Sequence, residues 1–351
     1  TGWPVWNTEM KRRLFFMVSV LLLMALCGCS KKDESTDHSF FALDTYITMQ
    51  ATGPEAGAAL EAVEEQITAR EQRWSVTDPG SEVYAINHSG GEPVTVSEDT
   101  AQLMAFALEQ ADQTGGSLDP TIYPVLTAWG FTTGSYQVPS QEELDTLLPL
   151  VDYRNIQMRE NAVTIPNGAQ LDLGAVAKGY IGDEAAGLLR ERGITSALLN
   201  LGGNVQAVGV KPDGSPWRIG VHDPFTDGNL GVLEITDSAV VTSGGYERYF
   251  TDDAGNVYWH ILNPQTGYPA RSGIASVTVV APEGKRCDAL STALFVMGAE
   301  QAMEYWRSCD DFEMLLILED GGIWLTEGLE DLFSLNAGES GREVVVIRHE
   351  M

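Results

Sequence analysis

The chain has little positive charge. Its 351 residues carry 21 Lys and Arg against 50 Asp and Glu, a formal net charge of −29. Nucleic-acid binders lay basic patches over phosphates, so this balance argues against that class. The acidity keeps a surface soluble but names no ligand. An anionic ligand would need a local offset from a metal, a lysine or backbone N–H groups. Cysteine is also scarce, with four residues at 27, 29, 287 and 309. Only Cys287 and Cys309 lie beyond the first thirty residues, which excludes a disulfide scaffold and leaves either one bridge or free thiols. The five histidines are scattered. No pair has metal-ligand spacing, which argues against a structural zinc site.

Long apolar runs are absent except at the start. Lys11, Arg12 and Arg13 precede Leu14–Leu26, an apolar run of thirteen residues. A bilayer span needs roughly 20. The run ends in Leu26-Cys27-Gly28-Cys29, the pattern of a bacterial lipoprotein signal. Residues 1–9, ahead of Met10, read as an extraneous extension, and residues 10–28 as the signal peptide. Cys29 is the expected lipidation site. Residues 29–39 are expected to be a polar tether, and residues 40–349 a single domain. The expected address is exported, lipid-anchored to the membrane, on its extracytoplasmic face or in the periplasm.

The body mixes helical and strand patterns without regular alternation, so the expected class is α+β. Phe40–Ala51 alternates as one strand. Glu55–Trp74 and Ser97–Thr114 have helical spacing, and Ser97 is placed to cap the second. Ser140 starts a shorter helix. Ala175–Arg192 is a long helix with small residues at its start. Strands are expected at Ser196–Asn200, Asn204–Val210, Trp217–Val221, Gly231–Thr236, Val240–Thr242, Tyr258–Leu262, Ile274–Val280, Glu313–Leu318, Gly322–Thr326 and Glu343–Ile347.

Six segments stand out chemically. Ala281–Gly298 opens as a loop and continues as a helix, on which Asp288 and Thr292 share one face. A carboxylate and a hydroxyl one turn apart suit a hard cation such as Mg²⁺. They suit equally a helix cap and a self-bonded threonine. LDLGAVAKGYIGD (171–183) places small residues and Lys178 at a helix start, where free N–H groups favour phosphate. Asp172 there would accept hydrogen bonds from a base or ribose. Walker and Rossmann spacings are absent. LNLGGNVQAVG (199–209) suggests a hairpin or a close ligand approach. VTSGG (241–245) suggests a turn, with Thr242 and Ser243 as possible phosphate contacts. WHILNPQTG (259–267) puts His260 at the start of a strand, and its near-neutral titration suits proton transfer. SLDP (117–120) puts Asp119 in a Gly-rich loop, as either an Asx turn or a ligand contact.

Taken together, LDLGAVAKG, NLGGN, TSG, HILNPQTG and DALSTALFVMG resemble the ApbE family of FAD:protein FMN transferases. The resemblance runs from about Phe41 to Ile347. It implies an ApbE-like α+β fold of mixed sheets with packed helices in a single two-lobed domain. It also implies transfer of FMN from FAD to a Thr or Ser hydroxyl of a target flavoprotein, with release of AMP. Mg²⁺ would be held by Asp288, Thr292 and the carbonyl of Ala175. FAD, the substrate, would meet Leu43, Thr77, Ser117, Leu118, Asp119, Asp172, Lys178 and His260. His260 and Asp288 would be catalytic, with His260 the preferred base because a metal-bound carboxylate is a poor one. The implied partner is the flavin-acceptor subunit of a sodium-pumping NADH:quinone oxidoreductase or an Rnf-type complex.

The family's Met-Gly-Thr is here Leu43-Asp44-Thr45, and an aromatic flavin contact of some members is Thr77. Trp74 or Tyr136 would have to replace that contact. Two alternatives accompany this reading: a Mg²⁺-dependent FAD pyrophosphatase, and a non-catalytic flavin-binding lipoprotein.

Overall fold

A nine-stranded sheet, with helices on one face and a small sheet on the other, organises the chain. The computed structural model describes residues 35–339 and 341–349. The expected signal peptide and Cys29 lie outside them.

In chain order the strands are β1 (Ser35–Ala42), β2 (Thr45–Thr52), β3 (Val94–Thr95), β4 (Gln157–Arg159), β5 (Ala162–Thr164), β6 (Ser196–Leu201), β7 (Asn204–Gly209), β8 (Trp217–His222), β9 (Asn229–Ile235), β10 (Ala239–Gly244), β11 (Tyr249–Thr251), β12 (Val257–Trp259), β13 (Ile274–Ala281), β14 (Glu313–Leu318), β15 (Ile323–Thr326), β16 (Phe333–Leu335) and β17 (Val344–Ile347). The α-helices are α1 (Ala56–Trp74), α2 (Glu82–Asn87), α3 (Glu98–Gln113), α4 (Tyr123–Ala128), α5 (Gln141–Leu147), α6 (Ala177–Glu191), α7 (Gly284–Met297) and α8 (Ala299–Arg307). The main sheet runs β1-β2-β6-β7-β10-β13-β14-β15-β17, antiparallel except for β15–β17. Ser35–Met351 is one compact unit.

Period-2 alternation sorts the central strands between two cores. Ala239, Val241, Val277, Val279 and Ala281 face α7 and α8. Val240 and Val280, between them in sequence, face Leu230, Leu233 and Phe333 of the β16-β9-β8 sheet. Both faces are dry, so these strands read as nearly unbroken apolar runs. A third core joins α1, α3 and α6 to β2 and β6 through Leu60, Ile67, Leu103, Ile181 and Leu199.

Two expectations change at the start of the chain. The described part of the tether, 35–39, belongs to β1. The single strand over Phe40–Ala51 is a hairpin, with Ala42 opposite Thr45. Its turn is Leu43-Asp44, both left-handed at φ 55° and 56°. Asparagine and aspartate tolerate that region better than other side chains, which makes Asp44 an acceptable replacement for glycine. β1 is an edge strand, and its polar Ser35-Thr36-Asp37-His38-Ser39 protects that edge from further pairing.

The helix starts were legible. Ser97 and Ser140 accept the N–H groups of Thr100 and Glu143 as N-caps. The strand expected over Tyr258–Leu262 is shorter: β12 ends at Trp259 and His260 follows it. Cys287 is buried, Cys309 is half-buried, and both are free.

Candidate functional site

The site is built where α6 and α7 cross. Their approach is closer than any side chain permits. A Cβ on Gly179 would lie 2.2 Å from the carbonyl oxygen of Gly284 and 2.7 Å from Cβ of Asp288. This contact lets the Gly179 N–H donate to Asp288 Oδ2 at 2.8 Å. Asp288 is buried, and burial pushes its carboxyl above the ordinary carboxylate range, against the pull of the Lys178 charge and the Gly179 N–H. It forms no ion pair among the described residues. Asn204 on β7 lies beside it; its buried amide is close enough to favour the charged carboxylate, although neither amide atom makes a hydrogen bond of good geometry. Thr292 sits one turn further along α7 and is half-buried.

A buried carboxylate without a cation is costly. Among the described residues, no three His, Cys, Asp or Glu are grouped to hold a metal. What α7 offers at this crossing is of another kind: one carboxylate and, a turn further on, one hydroxyl. Such hard oxygen donors fit Mg²⁺.

His260 follows β12 and feels the charge of the same lysine. Its Nδ1 lies 3.2 Å from the carbonyl oxygen of Arg248. A carbonyl only accepts, so Nδ1 carries the proton and Nε2 keeps its lone pair. Burial, then the charges of Arg248 and Lys178, lower its pKa to about 4. The ring is therefore neutral at physiological pH. Lys178, in the first turn of α6, acts electrostatically on both Asp288 and His260.

The loop 117–120 joins this centre through the backbone. Asp172 N–H donates to the carbonyl of Pro120 at 2.8 Å. Asp172 Oδ1 accepts the Gly174 N–H at 2.7 Å, which shapes the turn carrying Ala175. Burial raises its pKa, and the Gly174 N–H and the Arg248 charge oppose that rise.

Asp119 is committed to the protein. Oδ1 accepts from the N–H and hydroxyl of Thr121, and Oδ2 from Tyr153 N–H. These bonds are those of an Asx turn. Ser117 and Leu118 flank it, half-buried and buried respectively. Val241–Gly244 is strand and a turn begins at Gly245, and the hydroxyls are used internally: Thr242 with Thr278 and Ser243 with Ser291, each at 2.8 Å.

Leu43 sits at the hairpin tip, its N–H bonded to Glu71 Oε1 at 2.7 Å. Thr45 beside it packs on Gly202 of the NLGGN turn. Thr77 is exposed and bonded only locally, to Ser75. Among the described residues its hydrogen bonds do not reach the helix crossing. Trp74 is buried, with Nε1 donating to Thr100 Oγ1, and cannot replace a flavin contact at Thr77. Tyr136 stacks on Phe250 and meets Phe131, which in turn contacts His260.

Of the supporting residues, Asn87 and Arg248 carried no sequence signal, while Asn204 and Gln206 fall in the LNLGGNVQAVG segment. Asn87 clamps the backbone of Leu171 with two hydrogen bonds. Arg248 donates to the Phe131 carbonyl while its own carbonyl orients His260. Asn204 and Gln206 point from β7 into the helix crossing.

A buried carboxylate, an adjacent hydroxyl, a helix N-terminus with a lysine and a neutral imidazole define a site for phosphate-ester chemistry. Comparison with known proteins makes that class specific. The ApbE family model matches residues 43–316. The chain is 31% identical over 342 residues to the FAD:protein FMN transferase of Treponema pallidum, covering 91% of this chain and 94% of that one. It is 34% identical over 281 residues to the enzyme of the same name from Klebsiella pneumoniae, covering 78% and 86%. The crystal structure of the ApbE protein from Thermotoga maritima superposes with a TM-score of 0.81 at 36% identity, covering 85% of this chain and 99% of that one. The chain belongs to the ApbE family.

Proposed function

We propose that this chain transfers the FMN half of FAD to a Thr or Ser hydroxyl of an acceptor protein and releases AMP. It is an FAD:protein FMN transferase, and FAD is its substrate. One observation supports the chemistry most directly. A neutral imidazole with an open Nε2 and a buried, unpaired carboxylate lie within electrostatic reach of one lysine.

Lys178 and the free N–H groups of the turn before α6 would bind the FAD pyrophosphate. Asp172 would accept hydrogen bonds from the flavin nucleotide. Asp288, Thr292 and the Ala175 carbonyl would hold Mg²⁺, which when bound supplies neutralising charge at the pyrophosphate. His260 Nε2 accepts the proton of the acceptor hydroxyl as that oxygen attacks the FMN phosphorus. The bond from this phosphorus to the bridging oxygen breaks, and AMP leaves with that oxygen. The new link is a phosphoester, so the chain needs no nucleophile of its own.

Export and lipid anchoring would place this chemistry outside the cytoplasm. The acceptor would be a flavoprotein subunit of a sodium-pumping NADH:quinone oxidoreductase or an Rnf-type complex. The test incubates the protein with FAD, Mg²⁺ and an acceptor domain, reading the acceptor by intact mass. The expected result is a gain of one FMN, lost in Asp288→Ala and without metal. Free FMN and AMP with several unmodified acceptors would indicate the pyrophosphatase. FAD left intact under all conditions would indicate a binding protein.

A further inference from the structure

The helix crossing contains a second carboxylate, and it mirrors the first. Gly179 and Asp183 lie four apart on α6, and Gly284 and Asp288 four apart on α7. Asp288 accepts the N–H of Gly179 at 2.8 Å. In return, Asp183 Oδ1 accepts the N–H of Gly284 at 2.6 Å, and Oδ2 that of Lys285 at 2.9 Å. Each helix thus places a carboxylate on the first turn of the other. These three bonds close a loop around the Gly179–Gly284 contact, where no Cβ fits. Beneath it β7 presents two amides on one face: Asn204 beside Asp288, and Gln206 Oε1 against Gly284.

The two carboxylates differ in what remains free. Asp183 spends both oxygens on α7. Asp288 spends Oδ2 on α6. The first turn of α7 has no side-chain cap from its own N-cap residue, Glu283. Asp183 supplies that cap across the interface, satisfying two of the free N–H groups of a helix start and complementing its positive end.

We propose that Asp183 is a positioning residue, whose double bond to Gly284 and Lys285 sets where α7 stands against α6 and so holds Asp288 and Thr292 at the turn carrying Ala175. The inference rests on the metal reading given above. Removing the carboxylate frees the start of α7 to slide, and the donor set opens.

The test titrates Mg²⁺ into the full-length protein with FAD and reads flavin fluorescence, with amide exchange at Gly284 and Lys285 as a second readout. Groups that orient metal ligands typically change metal affinity 10–100-fold when removed. Asp183→Ala is expected to raise the half-saturating Mg²⁺ concentration about tenfold or more and to speed exchange at both amides. Asp183→Asn, which keeps one acceptor, is expected to recover most of the affinity. Should Asp183→Ala fail to fold, Asp183→Asn and Asp183→Ser still report, because each leaves one capping oxygen and predicts an intermediate shift. An unchanged Mg²⁺ dependence in variants that lose only thermal stability would overturn the proposal. An unchanged Mg²⁺ dependence in Asp288→Ala would instead overturn the metal reading, and the positioning role with it.

Discussion

Gly179→Ala tests the central packing feature of this protein with the smallest possible change. The added Cβ would lie 2.2 Å from the Gly284 carbonyl oxygen, 2.6 Å from its carbon and 2.7 Å from Cβ of Asp288. Ordinary contact needs roughly 3.4 Å, so the helices must part by about 1 Å. None of the opposing atoms is the end of a flexible side chain, so the strain falls on backbone. Overpacking of this kind costs about 1–3 kcal/mol, partly offset by the gain of about 1 kcal/mol from alanine over glycine in a helix. The functional cost is larger. A displacement of about 1 Å stretches the Gly179–Asp288 hydrogen bond and misplaces the carboxylate, and misplacement on that scale is worth about 10²-fold in rate. Gly187→Ala on the same helix is the control, since its Cβ would meet nothing within 4 Å. That variant should be stabilised by up to about 1 kcal/mol. Urea unfolding measures the first quantity and FMN transfer to an acceptor the second. If Gly179→Ala unfolds within about 0.5 kcal/mol of wild type and keeps a third of its rate, the crossing is not the constraint described here.

Two titrating groups should oppose each other in the pH dependence of stability. His260 is lowered to about 4, so the unfolded chain binds the extra proton and stability rises as pH rises from about 4 to 6.5. Asp183 is raised to about 6 by burial, so the folded chain binds the extra proton and stability falls over about the same window. Each shift is worth roughly 3 kcal/mol, and the two nearly cancel. Relative to wild type, Asp183→Asn should gain stability as pH rises through this window, and His260→Asn should lose it. Parallel urea curves from pH 4.5 to 6.5 for all three proteins would refute the assignment. Asp119→Asn should cost about 1–3 kcal/mol by calorimetry, because an amide NH₂ must then face Thr121 or Tyr153 N–H. An isoenergetic variant would mean that these bonds do not hold the loop.

Much of this architecture was legible in the chain. Apolar spacing marked α1 and α3, a long stretch opening on small residues marked α6, and the serines at 97 and 140 marked two helix starts, because capping is a local property. The α+β class followed from irregular alternation of helical and strand patterns. The hairpin turn at Leu43-Asp44 was hidden because it lacks glycine; two left-handed non-glycine residues leave no compositional trace. The brief strands β11, β12 and β16 were missed or misplaced because runs of three residues carry no periodicity. At the site, Asp288, Thr292, Asp172, Lys178 and His260 were nameable from segment chemistry. Asp119 and the hydroxyls of Thr242 and Ser243 were nameable too, but the fold spends them on its own backbone and side chains.

The amino-acid sequence by itself determined the helices, the central strands, the acidic surface and the family, because these rest on local spacing and on motifs read in order. The tertiary structure alone decided that Gly179 and Gly284 touch. It also decided that Asp183 and Asp288 each accept backbone N–H groups of the opposite helix across that contact, and that the Arg248 carbonyl fixes which nitrogen of His260 is free. Those pairings join residues 101 to 109 positions apart at the crossing and twelve apart at the histidine. No local pattern encodes which distant N–H a carboxylate will find; that depends on how closely two helices approach after the sheet has placed them.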